Sequence, residues 1–336
     1  MDDFLPIIIC EDPTEEPIRR VVALISGAGV EPHVFATTEI ANLGIECYLP
    51  SEGKPTSRLG GVDLCGRHAR VWWRRGTLPK LSYFSEPDTS VAKFMVSQYS
   101  GALWGMLTLP TALGGDWMNT PSQEALLDEN KVLQHVLAQQ AGLTVAPMIC
   151  TDDPDAARRF VSTYGAVAAK PVSGFVMKTD LPNGREVPLA MFTKLLTVEE
   201  FDRVAGLTRH APLLLEPYIE KDFELRITIV GQRIHACRID SQRSERTRID
   251  WRNYDLENTP HSQFELPYRV RDQLLNFMKS AGLEFAAIDM IVSRDGEFVF
   301  LEANPCGQYG WIESLTGLPI SETIAEWLMP NLGLSD

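Results

Sequence analysis

The sequence predicts a mixed α/β (α+β) fold of two or three subdomains. Three observations predict it. The chain has 336 residues, more than one hydrophobic core ordinarily organises. Short apolar runs alternate with helix-period stretches near the N-terminus. The last part carries a strand–turn–strand pattern, FAAIDMIVSRDGEFVFLEANP, with SRDG as the turn.

Taken in order, LPIIIC (5–10) is a short apolar run and reads as a buried strand. RRVVALISGAG reads as a helix from Ile18, stopped by Gly27 and Gly29. HVFATTEI and ARVWWRR read as further strands, giving a small α/β domain over 1–118. SVAKFMVSQYSGALWGMLTLP has helical periodicity from Val91 to Leu107. The turn Met118–Pro121 marks the first boundary. Beyond it a single helix runs through Gln140 to Gly142, and DPDAARRFVSTYG is a second helix. VAAKP is a short strand ending at Lys170. These elements belong to a central unit, 119–215. A C-terminal unit, 216–336, holds two or three strands in LLLEPYIEKDFELRITIVGQRIHACRID, counting the run that enters it. It also holds a long helix in LPYRVRDQLLNFMKSAGL, the hairpin, and a closing helix capped near Ser321.

The net charge is −14 and the isoelectric point about 5.0. Such acidity argues against a nucleic-acid backbone as partner, because that contact needs a basic face. Six scattered cysteines form no CxxC pair and no zinc spacing. They read as free thiols of a reducing cytosol. The N-terminus is acidic where a signal peptide is basic, and no run is long and apolar enough for a membrane span. A cytoplasmic protein is expected.

The chemistry concentrates at FLEANPCGQYGWIE (300–313). On a strand, residues i and i+2 share a face, so Glu302 and Asn304 project together. Asp289 interrupts the partner strand and falls opposite Phe300–Glu302. The plain reading is that Asp289 caps a bulge and Glu302 leaves the core. The combination D…E-x-N on a hairpin instead suggests a hard-cation site of few oxygens, leaving room for water and phosphate, as magnesium prefers. Lysines support a nucleotide there. Lys170 ends an apolar strand, where a lysine is costly unless it meets an anion. Lys131 sits early in a helix, behind Asp128, Glu129 and Asn130, and reads on its own as a solvated side chain. LLLEPYIE offers backbone groups and an apolar wall to a purine, or is an edge strand interrupted by Pro217.

A lysine on a helix, a lysine ending a strand, an E-x-Y-I hinge, an E-x-R strand and a D…E-x-N hairpin, in this order, resemble the ATP-grasp superfamily of carboxylate–amine ligases over about residues 119–330. VWWRRG, FELRITIVGQRIHACRIDSQ, RIDWR and above all NPCGQYGWIESLTGLPI are similar to the ATP-grasp peptide maturases of graspetide (microviridin-type) biosynthesis. The resemblance implies an ATP-grasp fold with an N-terminal pre-ATP-grasp domain and ATP bound between the two later units. It implies ATP-dependent activation of Asp or Glu side chains in a ribosomal precursor peptide. A Ser or Thr hydroxyl, or a Lys amine, then attacks to close rings. It also implies a leader segment and an acidic core on that peptide, and a homo-oligomer, a dimer.

Roles follow from the resemblance. Asp289, Glu302 and Asn304 are expected to hold two magnesium ions. Lys131 and Lys170 contact phosphates and nucleotide. Glu216, Pro217, Tyr218 and Ile219 form the adenine hinge, and Glu224 a ribose or nucleotide contact. Arg226 shares a face with Glu224 and is assigned to the transferring phosphoryl group or the acyl phosphate. Arg252 is assigned to the γ-phosphate or substrate carboxylate, with Asp250 orienting it or lining the peptide site. Arg238, with Arg243, Arg246 and Arg248, would line an acidic peptide. Arg74 and Arg75 read as supports of the domain interface. Two alternatives remain: an ATP-grasp ligase adding an amino acid to a protein terminus or small metabolite, and a nucleotide-binding scaffold without turnover.

Overall fold

The computed structural model describes residues 4–333, apart from 67, 114, 129, 174, 175, 181–185 and 191. Its first sheet is parallel, in the order His33–Ala36, Leu5–Cys10, Ala69–Arg74, Asp116–Met118. A parallel sheet is covered on both faces, so its strands need no polar alternation. That is why Ile7, Ile8 and Ile9 are all fully buried. On one face, helix Glu16–Gly27 packs with helix Ile320–Leu328 from the far end of the chain, through Val21, Ile25, Ile324 and Leu328. On the other face lies helix Thr89–Ala112, through Leu103, Met106 and Leu107. It extends past the expected limits at both ends. No helix among the described residues is long and apolar enough to cross a membrane.

The largest sheet has six strands, in the order His261–Gln263, Arg233–Ile239, Lys221–Val230, Phe285–Ser293, Phe298–Asn304, Thr144–Val145. Only the last pairing is parallel. One face is closed by helices Lys131–Gln140 and Tyr268–Ala281, which set Ala138, Leu274 and Phe277 against Leu225, Ile227 and Ile288. The single helix expected through Gln140 is two, Pro121–Leu127 and Lys131–Gln140. The Asn130 side chain caps the second by accepting from the Leu133 amide, at 3.2 Å. Residues 121–145 therefore pack with the C-terminal sheet, although they lie inside the central unit read from sequence.

The central sheet is antiparallel, in the order Lys194–Thr197, Ala166–Pro171, Leu213–Pro217, Ile149–Thr151. Helices Pro154–Tyr164 and Val198–Val204 cover it through Val161 and Phe201. A short hairpin, Val176–Asp180 with Glu186–Ala190, precedes its outer strand. The closing helix starts at Ile320, one residue before the expected cap. Ser321 is not its cap: its hydroxyl donates to Glu313 at 2.6 Å.

The expected boundary at Met118–Pro121 is a tie. Asn119 is buried with φ of 55°, a left-handed conformation that asparagine tolerates better than most residues. Its Nδ2 donates to the carbonyls of Phe285 (2.7 Å) and Pro305 (2.8 Å), and its Oδ1 accepts from the amides of Glu284 (2.9 Å) and Phe285 (3.1 Å). Asn119→Ala should remove the partner of four backbone groups, three of them in buried bonds, and lower unfolding free energy by about 2–4 kcal/mol. A denaturant titration showing less than about 1 kcal/mol would contradict this tie.

Candidate active site

One cavity lies between the central and C-terminal sheets. It gathers Lys131, Lys170, Glu216, Pro217, Tyr218, Ile219, Glu224, Asp250, Arg252, Asp289 and Glu302, all singled out from the sequence. Register explains part of this. Arg226 stands opposite Asp289, and Asp289 opposite Glu302, on three adjacent strands. Directly opposed residues share a face, so the three lie side by side. The turn falls at Ser293–Gly296, as expected. Pairing then jumps from Asp289–Glu302 to Met290–Phe300, leaving Leu301 as an extra residue. This bulge lets the consecutive residues Leu301 and Glu302 both line the cavity.

Charge in the cleft is paired throughout. Arg226 bonds Asp289 at 2.9 Å, beneath the cavity rather than in it. Lys131 meets Glu302 at 3.2 Å. Lys170 meets Glu216. Lys221 meets Glu224 at 2.9 Å and donates to the Ile249 carbonyl at 2.9 Å. Arg252 forms a fork with Asp250 at 2.9 and 2.7 Å, and its Nη1 lies 3.9 Å from Glu302. Five cations thus face five carboxylates. Burial opposes the charge of Glu302, yet Lys131, Arg252 and Lys170 hold its carboxyl well below the usual range. Burial pushes the Asp289 carboxyl up, against the pull of Arg226, with Glu302 adding to the rise. Burial likewise raises Glu224, against Lys221.

These residues fit a magnesium-bound nucleotide. Asp289 Oδ1 is buried and has no hydrogen-bond partner, an expensive state for a carboxylate unless something cationic meets it. Asn304 uses Nδ2 on the Ala287 carbonyl at 3.3 Å, so its oxygen remains as the possible ligand. Among the described residues no three histidine, cysteine or acidic side chains make a metal cage. Two carboxylates and an amide therefore leave the other positions to phosphate oxygens and water, which suits magnesium.

Two of the expected residues lie outside the cavity lining. Arg226 donates from Nη1 to Asp289 and from Nη2 to the Gln308 carbonyl at 3.2 Å, while its Nε has no partner. It thereby holds Asp289 in place. Arg238 stands opposite Leu225, one residue out of phase with Glu224 and Arg226. It is therefore on the far face of the sheet, 3.7 Å over the Phe223 ring and paired with Asp240 at 2.7 Å. Arg243 and Arg248 pair with Asp240 and Glu245 (3.6 and 2.9 Å) and, like Arg246, do not line the cavity.

Sequence reasoning missed Lys221. On a regular strand it would face away from Glu224, three residues on. A register shift between Lys221 and Phe223 turns it into the cleft. Thr193, Ile249 and Trp251 also line the cavity. No motif signals Thr193; Ile249 and Trp251 sit inside the RIDWR run already singled out.

The run GQYGWIE now has a physical account. A Cβ on Gly307 would come within 2.4 Å of the Ala287 Cβ and 2.9 Å of Arg226 Nη2. Only glycine lets this loop pass over the Arg226–Asp289 pair. Arg74 is fully buried and donates to the carbonyls of Cys306 (2.9 Å) and Gly307 (3.0 Å), to Gln308 Oε1 (3.1 Å) and to Glu15 (2.8 Å). Arg75, by contrast, is half exposed. The Tyr309 ring is buried in the shared core, and a Cβ on Gly310 would strike Pro17 at 2.9 Å. Trp311 stacks on Trp251 with ring centroids 5.0 Å apart.

No family model and no curated protein sequence matches the chain. Solved structures do. The macrocyclase MdnC of Microcystis aeruginosa MRC, bound with precursor peptide MdnA, is 27% identical with a TM-score of 0.77, over 96% of this chain and 99% of that one. A RiPP-associated ATP-grasp ligase of Chryseobacterium gregarium, in complex with ADP and a leader and core peptide, is 26% identical with a TM-score of 0.82, over 97% of both chains. The D-cycloserine synthetase DcsG, 14% identical with a TM-score of 0.56 over 96% of this chain and 99% of that one, shares the fold alone. The fold is thus the ATP-grasp fold, and over nearly its whole length the chain is similar to ATP-grasp ligases of ribosomal peptide maturation, the group its motifs resemble.

Proposed function

We propose that the protein closes side-chain rings in a ribosomal precursor peptide at the expense of ATP. The observation that carries this reading is the cavity itself. It joins the nucleotide lysines, the D…E-x-N hairpin and Arg252 in one cleft. The peptide's Asp or Glu carboxylate attacks the γ-phosphorus and ADP leaves, giving an acyl phosphate. A Ser or Thr hydroxyl, or a Lys amine, then attacks the acyl carbon. An ester or amide forms, phosphate leaves, and the nucleophile's proton goes to solvent or phosphate.

In this reading Asp289, Glu302 and Asn304 hold the magnesium ions, which neutralise phosphate charge when bound. Lys131 and Lys170 exchange their carboxylate partners for phosphate oxygens. The segment Glu216–Ile219 lies along the base and Glu224 meets the sugar. Arg226 keeps Asp289 ionised and fixed. Arg252 presents its remaining guanidinium nitrogen to the phosphoryl or carboxylate oxygens, where charge develops. Ile249 and Trp251 at the cavity, with Tyr254 exposed beyond them, offer an apolar approach for peptide. Close placement of nucleophile and acyl phosphate supplies much of the rate. We further propose leader recognition apart from the core peptide, a homodimer and a cytoplasmic setting; these extend the family resemblance.

Incubation with ATP, magnesium and a peptide rich in Ser/Thr and Asp/Glu should remove one water per bond formed, read by mass spectrometry. Linear chain extension would instead support an amino-acid ligase. Glu302→Ala and Asn304→Ala should abolish ring closure while the far-ultraviolet spectrum stays unchanged; ring closure at the wild-type rate would remove the metal assignment. Because the cleft is already charge-balanced, chelating magnesium should weaken ADP binding by at least about tenfold. Calorimetry showing equal affinity with and without magnesium would oppose that. Arg252→Ala should lower kcat by about 100- to 1,000-fold and change ADP affinity little. Loss of ADP binding alone would move Arg252 out of the chemical step.

A further inference from the structure

Asp250 lies in the segment between strands Arg233–Ile239 and His261–Gln263, and it is buried. Its carboxylate accepts four hydrogen bonds. Oδ1 takes the Arg252 amide at 3.1 Å and Arg252 Nε at 2.9 Å. Oδ2 takes Arg252 Nη2 at 2.7 Å and the Thr193 amide at 3.1 Å. An ionised carboxylate offers about four lone-pair sites, so none is left for a peptide. Asp250 thereby stops being a candidate substrate contact.

What it joins is informative. Thr193 directly precedes strand Lys194–Thr197 of the central sheet, the sheet that carries Lys170 and Glu216. Arg252 belongs to the C-terminal side, with Asp289 and Glu302. All of these residues line the same cavity. The Arg252 side chain is 41% exposed, and arginine has large rotamer freedom to lose. It is held because the Asp250 fork takes Nε and Nη2, leaving Nη1 toward Glu302 at 3.9 Å. The same Asp250 oxygen that holds Nη2 also holds the edge of the central sheet.

We infer that Asp250 is a latch: its bond to the Thr193 amide ties closure of the central sheet over the nucleotide to the fixing of Arg252. Closure brings an amide dipole to Oδ2, and the charged acceptor makes that bond stronger than a neutral one. The Asp250–Arg252 fork forms within one segment, and the Thr193 bond tightens its position when both halves of the cleft meet. Asp250 is a positioning residue. This inference rests on the reading of Arg252 as the group that meets the phosphoryl or carboxylate oxygens.

The test uses the whole enzyme with Mg-ADP and reads hydrogen exchange at the Thr193 amide. Asp250→Asn keeps the shape but replaces one acceptor by a donor. Losing a charge-assisted bond of this kind should speed exchange at Thr193 in the nucleotide complex by about 10- to 100-fold. In the same variant kcat for peptide should fall by about 10- to 100-fold, with KM for ATP moving less than about threefold. Thr193→Pro removes the donor and leaves the Asp250–Arg252 fork; it should lower kcat in the same way, which keeps the inference testable if Asp250→Asn does not fold. Unchanged Thr193 exchange in Asp250→Asn, or wild-type kcat in Thr193→Pro, would overturn the latch. The exchange experiment needs only nucleotide. Absence of peptide turnover in the wild type would count against the activity reading and leave the latch standing.

Discussion

The constraint on which the rest depends is that charge taken out of water must be matched. Lys131, Lys170, Lys221 and Arg252 in the cleft, with Arg226 behind Asp289, stand against Glu302, Glu216, Glu224, Asp250 and Asp289. Breaking one such buried pair from one side typically costs about 3–5 kcal/mol, so each partner fixes the other's position. A neutral cleft also dictates what it can accept. A nucleotide polyphosphate entering alone would bring several uncompensated negative charges into a region that already has none to spare. Entering with divalent cations, it leaves the balance intact. Pairing stops short at the buried Oδ1 of Asp289, which has no hydrogen-bond partner and faces the cavity side of the hairpin.

The second layer of support comes from the opposite end of the chain. Glu15 holds Arg74, Arg74 holds the 306–308 loop, and the Gln308 carbonyl holds Arg226 under Asp289. Arg20 reaches Glu313 at 2.9 Å from the same helix that packs against the closing helix. The N-terminal domain is therefore a brace for the metal-facing hairpin. This gives glycine, glutamine, tyrosine and tryptophan in GQYGWIE distinct jobs: passage over a buried pair, reception of Arg74, filling of the shared core, and stacking on Trp251.

Much of this was legible in the sequence because strand parity is a local rule. Glu302 and Asn304 are two apart, Glu224 and Arg226 are two apart, and each pair does share a face. The same rule misled where the ladder is irregular. Lys221 enters the cleft through a register shift, and Leu301 through a bulge. Arg238 was a matter of inter-strand register, which no single strand reveals; it is opposite Leu225 and so faces away. Arg226 shares the expected face with Glu224, but its contact with the Gln308 carbonyl was not legible, because it depends on how the 305–308 loop lies against it. Helix 131–140 was read as one with its predecessor; the cap that separates them is the Asn130 side chain on the Leu133 amide. The N-terminal brace was legible only as a domain, since Arg74 and Gln308 lie more than two hundred residues apart.

The central claim is that a peptide carboxylate is activated by phosphoryl transfer in this cleft. Peptide labelled with heavy oxygen in its Asp and Glu side chains tests it most directly. Attack on the γ-phosphorus puts one carboxylate oxygen on phosphorus, and ring closure releases it. The account predicts one labelled oxygen in the phosphate for every ring closed. Rings closed with unlabelled phosphate, the label remaining in the peptide or passing to water, would contradict it.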